Sequence, residues 1–141
     1  MREDLISKLR DALETEPSVA AAYLYGSVAR SAATPLSDVD VAVVVTGDLD
    51  DRLRDELLRR ATRRLGGALA GSRVEIRLLD ELPAAIAGRA VTEGLLVFER
   101  DPVARLRAEV RARMLYFDFQ PFERRGTREG LAGLRRSLGV G

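Results

Sequence analysis

The eight residues "DVDVAVVV", 38–45, constrain this chain more than any other stretch. After an acidic start the run is continuously apolar and holds five valines. β-branched side chains suit a pleated backbone, and a strand without polar alternation is covered on both faces. The chain must therefore build a core around this strand. "VAAAYLY" (19–25) reads as a second buried strand, weakened by its three alanines, and Gly26 ends it. A ten-residue connection, Val28 to Ser37, then leads to Asp38, and its "SAATPLS" segment (31–37) reads as a loop.

The remaining pattern fills in around these strands. Residues 3–15 carry Leu5, Ile6, Leu9, Ala12 and Leu13 at helical spacing, and Pro17 stops them. "TGDLDD" turns into an arginine-rich helix over 50–66, closed by Gly66-Gly67. "SRVEIRLLD" (72–80) predicts a strand with Val74, Ile76 and Leu78 on one face and Glu75, Arg77 and Leu79 on the other. A helix over 81–93 follows, with Pro83 in its first turn, then a short strand at 94–100. A last helix starts at Asp101-Pro102 and runs to about Phe119. The expectation is an α/β (α+β) single domain over 1–122, a small mixed sheet flanked by helices. A glycine-containing basic tail, 123–141, is expected to be flexible or partner-bound.

Composition narrows the chemistry. The 141 residues contain no cysteine and no histidine, which excludes disulfides, thiol catalysis, histidine bases and His-based metal sites. Catalysis must use carboxylates, hydroxyls, arginine or Lys8, the single lysine among the basic residues. Arginine suits carboxylate and phosphate pairing, although a compositional bias of the source explains the count equally well. The net charge of +1 argues against general nucleic-acid binding. No stretch approaches a membrane span and the charged N-terminus has no signal-like apolar core, so a cytoplasmic protein is expected.

Asp38 and Asp40 stand two apart on a strand, so both carboxylates point to one face, roughly 6.5–7 Å apart at the backbone. Such a pair repels itself and calls for a cation or an arginine. A hard, oxygen-seeking ion such as Mg²⁺ fits, since it also takes ligands from substrate phosphates. Gly26 allows a phosphate to approach the backbone, and Ser27 with the following N–H groups can hold its oxygens. Two-metal nucleotidyl transfer needs a third carboxylate, and Glu75 is the candidate, with Arg77 on its face. Taken singly, Ser27 reads as a helix cap, Asp38 as a strand start, Glu75 as a surface residue and Arg30 as a solvated charge. Their combined order is what points to a nucleotide site.

"GSVARSAATPLSDVDVAVVV" resembles the Gly-Ser, ten residues, Asp-x-Asp signature of the polymerase-beta-type nucleotidyltransferases. The short chain and "LLVFERDPVARL" with "RMLYFDFQPFE" resemble the minimal nucleotidyltransferases, in particular the MNT antitoxins encoded beside HEPN-domain ribonuclease toxins. The resemblance covers about residues 5 to 122, and only 25–45 is highly specific. It implies transfer of AMP from ATP to a tyrosine of a HEPN toxin, with Mg²⁺, two ions, as cofactor. It places Gly26, Ser27 and Arg30 at the nucleotide and Asp38, Asp40 and Glu75 as catalytic metal ligands. Ser31 stands where the family often has glycine, and Glu75 where it usually has aspartate. Both departures favour retained nucleotide binding over fast catalysis. Neutralisation of the toxin by contact alone is thus the alternative, and transfer to a small molecule a distant third. Tyr116, Phe117, Phe119 and Phe122 read either as core packing of the last helix or as an interface anchor.

Overall fold

The computed structural model describes residues 2–26, 38–69 and 73–132. In chain order these form α1 (Arg2–Glu14), β1 (Val19–Tyr25), β2 (Val39–Val45), α2 (Asp51–Ala68), β3 (Val74–Leu78), a 3₁₀ turn (Leu79–Glu81), α3 (Ala84–Glu93), β4 (Leu95–Glu99) and α4 (Pro102–Ala132). The strands join in the order β3-β2-β1-β4. β1 runs antiparallel to both β2 and β4, while β2 and β3 are parallel. A parallel pair needs a crossover, and α2 supplies it.

Both faces of the sheet are covered, as the valine run requires. On one face Leu9 and Leu13 of α1 and Leu57, Ala61 and Leu65 of α2 pack on Val39, Val41, Val43 and Ile76. Truncating one such buried leucine to alanine costs about 2–5 kcal/mol. On the other face Ala87, Ala90 and Val91 of α3 and Ala108 and Ala112 of α4 pack on Ala20, Ala21, Tyr23, Ala42 and Val44. Ala20 and Ala21, two of the three alanines that weakened the reading of β1, belong to this second layer, where small side chains on sheet and helices allow close approach, while Ala22 packs in the first. Gly88 carries the same logic further: a Cβ there would overlap the Tyr116 ring.

Several boundaries differ from expectation for local reasons. Asp50 caps α2, accepting from Leu53 N–H at 2.8 Å. The helix continues through Gly66 and Gly67 to Ala68, because neither glycine takes the left-handed conformation that would end it. The β3 strand stops at Leu78, and the chain then makes the 3₁₀ turn. Pro83 is the cap of α3 and not part of its first turn, its carbonyl accepting from Ile86 and Ala87. Asp101 caps α4 by accepting from Val103 and Ala104 N–H, both at 3.1 Å. That helix runs to Ala132, well past the end expected near Phe119.

Candidate functional site

The site forms where three strands line up. The parallel register of β2 and β3 sets Asp40 opposite Glu75. The antiparallel register of β1 and β2 sets Tyr25 opposite Asp40. Tyr25, Asp40 and Glu75 therefore form one row across the sheet, on the α3 and α4 face, since Asp40 alternates with Val39 and Val41 of the opposite core. Asp38, half-buried, lies just before β2, where Val39 N–H donates to the Arg73 carbonyl at 2.7 Å.

Gly26 follows the row with φ at +81°, a conformation that side chains rarely tolerate. A Cβ at this position would lie 2.6 Å from Asp40 Oδ2. The backbone thus presses against the carboxylate, and only glycine permits it. Ser27 and Arg30, the other nucleotide-binding candidates, lie outside the described residues.

The electrostatics show an excess of negative charge. Burial, then the Glu75 charge, then that of Asp38, push the Asp40 carboxyl above the usual carboxylate range, while Arg77 pulls the other way. The Tyr25 hydroxyl is also held above its ordinary value, by burial first and then by Asp40. Glu75 bonds to the Arg77 guanidinium. In this arrangement no three Asp, Glu, His or Cys side chains among the described residues are grouped to hold a metal ion. The donor chemistry still fits a hard cation: two carboxylates spaced by one residue, with Asp40 destabilised as an anion by its acidic neighbours.

A cavity of about 160 Å³ adjoins the row, lined by Tyr25 and Gly26 on one side and by Ile86, Arg89, Glu93 and Gly94 on the other. The α3 residues were not singled out by sequence reasoning, because nothing local shows that α3 folds back over the end of β1. Tyr25 carried a signal, its position directly before Gly-Ser.

Residues 7–103 match the polymerase beta nucleotidyltransferase family model, and the chain belongs to that family. No curated protein matches it. Among solved structures it is similar to a toxin–antitoxin crystallised with AMP-PNP, at 25% identity and a TM-score of 0.68, covering 90% of this chain and 98% of that one. It is also similar to a chain of a tri-AMPylated Shewanella oneidensis HEPN toxin in complex with its MNT antitoxin, at 24% identity and a TM-score of 0.64, covering 94% and 99%. A MntA-HepT toxin–antitoxin structure matches at 24% identity with a TM-score of 0.62, covering 91% and 97%. At these last two identities the likeness shows the fold. Among the described residues no helix is long and apolar enough to cross a membrane.

Proposed function

We propose that this chain is an antitoxin that transfers AMP from ATP to a tyrosine of a partner HEPN ribonuclease toxin and so inactivates it. The observation that carries the reading is the row Tyr25–Asp40–Glu75 with Gly26 pressed against Asp40. The solved relatives support it, one being a toxin–antitoxin with AMP-PNP and another containing an AMPylated HEPN toxin.

In this reading Asp38, Asp40 and Glu75 would hold Mg²⁺. The ion supplies charge neutralisation of the triphosphate. Gly26 leaves room for phosphate oxygens, and Ser27 and Arg30 contact them. Glu75 accepts the phenolic proton as the tyrosine oxygen bonds to the α-phosphorus, the α–β phosphoanhydride bond breaks, and pyrophosphate leaves. The acceptor arrives on a partner protein.

One observation favours a second reading, neutralisation by contact alone: Glu75 is bonded to Arg77 and leaves no acidic triad for a metal among the described residues. The deciding experiment mixes the chain with the HEPN-domain protein of the same genome, ATP and Mg²⁺, and reads intact mass. AMP-sized gains on the HEPN protein, absent with EDTA and with Asp38→Asn/Asp40→Asn, establish transfer. A stable complex without any gain in mass establishes contact alone.

A further inference from the structure

Glu75 shares its sheet face with Arg77, and the two side chains are bonded. The register places Arg77 opposite Ala42, two residues along β3 from the Asp40–Glu75 pair. Ala42 is small and fully buried, so nothing bulky stands across β2 from the arginine. Two residues along the strand and one strand across put the Arg77 and Asp40 backbones about 8 Å apart, within reach of a long side chain. The charge of Arg77 acts on the whole row. It draws the Asp40 carboxyl and the Tyr25 hydroxyl back against the burial and the acidic neighbours that raise them. Other arginines near the row are placed differently. Arg73 lies just before β3, where its carbonyl accepts from Val39. Arg89 borders the cavity at the Tyr25 end. The guanidinium bonded to a carboxylate of the row is that of Arg77.

The plain reading of Arg77 is an edge-strand charge that keeps β3 from pairing with another chain. That reading asks nothing of its position beside Glu75 and Asp40. Carboxylates facing one another across neighbouring strands need a cation. The arginine stands where that cation is needed, and it holds one of the carboxylates that a divalent ion would take. The pair is also weak enough to exchange. Arg77 and Glu75 are 53% and 41% exposed, and breaking an open pair of this kind costs about fivefold or less in an equilibrium constant.

We propose that Arg77 is a stand-in cation: it neutralises Glu75 and Asp40 until a divalent ion displaces it, and it thereby weakens the binding of that ion. The proposal rests on the function proposed above only in taking Asp38, Asp40 and Glu75 as metal ligands. A unit positive charge about 6 Å from a divalent ion, in water-like surroundings, weakens its binding about tenfold. An exposed edge-strand charge with no such role would leave metal affinity unchanged.

The test measures Mn²⁺ binding to the full chain without nucleotide, by electron paramagnetic resonance, and thermal unfolding in EDTA and in saturating Mn²⁺. Arg77→Gln should bind Mn²⁺ about tenfold more tightly than the wild type. It should melt about 2–4 °C lower in EDTA, where the row has lost its counter-charge, and the gap should close in Mn²⁺. Arg77→Lys keeps the charge and should bind Mn²⁺ within about threefold of the wild type. Arg52→Gln makes the same change in net charge on α2, which packs on the opposite face of the sheet, and should leave Mn²⁺ affinity within about twofold. If Arg77→Gln binds Mn²⁺ no more tightly than the wild type, or if Arg52→Gln tightens it equally, the proposal is overturned and the functional reading is untouched. If Arg77→Gln tightens Mn²⁺ binding but the wild type transfers no AMP to the HEPN protein, the proposal stands and the functional reading falls. Mn²⁺ binding that survives Asp38→Asn/Asp40→Asn, or that is absent from both the wild type and Arg77→Gln, overturns both.

Discussion

Gly26→Ala perturbs stability and chemistry by two distinct routes. The first is local: φ is +81°, and an L side chain in that region costs about 1–2 kcal/mol. In a chain of this size that lowers the melting temperature by about 3–8 °C. The second is the contact. The new Cβ would lie 2.6 Å from Asp40 Oδ2, against an ordinary carbon–oxygen approach of about 3.5 Å. The carboxylate must therefore retreat by about 1 Å. Misplacing a catalytic group by ~1 Å can cost ~100-fold in rate. Thermal unfolding reads the first effect, and AMP transfer to the HEPN protein, followed by intact mass at saturating ATP and Mg²⁺, reads the second. The reasoning predicts a variant a few degrees less stable and about 100-fold slower. A variant with wild-type rate and wild-type melting temperature refutes both steps. Lower stability with an unchanged rate refutes the claim that Gly26 fixes the working position of Asp40.

Other perturbations test other parts of the site and fold. Asp40 is raised in the folded chain, so its stabilising contribution is intact in acid, below the ordinary carboxylate range, and is lost as the pH rises through the raised value. In EDTA at pH 7, Asp40→Asn should therefore melt above the wild type, with the gap closing near about pH 3–4; differential scanning fluorimetry showing the opposite order sinks the argument. Glu75→Gln should slow AMP transfer about 100-fold while changing nucleotide affinity, measured by calorimetry, by less than about threefold. An unchanged rate would reduce Glu75 to the partner of Arg77. Gly88→Ala should destabilise the chain by about 1–3 kcal/mol in urea unfolding by overpacking the α3–α4 contact, and Tyr116→Ala in the same chain should recover part of the loss. A neutral Gly88→Ala would mean that the two helices separate freely.

The elements themselves were legible because their signals are local. The strand expected at 19–25 is β1, Val19–Tyr25, and the valine run is β2. The alternation that puts Glu75 and Arg77 on one face follows from period-2 geometry alone, and Gly26 was legible as the residue that ends β1. Helix ends were read less well. Gly66-Gly67 looked like a stop, but a glycine ends a helix only where the chain adopts positive φ, which packing decides. The end of α4 was missed because Pro121 reads as a break, and the backbone continues to Ala132.

What the sequence determined by itself was the set of chemical parts: carboxylates without histidine or cysteine, a glycine at a strand end, and a strand that must be buried on both faces. What only the tertiary structure decided was their company. Strand order and register are non-local, set by which faces bury together, and they put Asp40 between Tyr25 and Glu75. Helix packing likewise decided that α3 closes a cavity beside Gly26 and that one side of α4 meets the core while the other keeps its apolar side chains in water. A linear pattern can show that a helix has an apolar side; only the packed molecule shows which apolar side chains the core leaves uncovered.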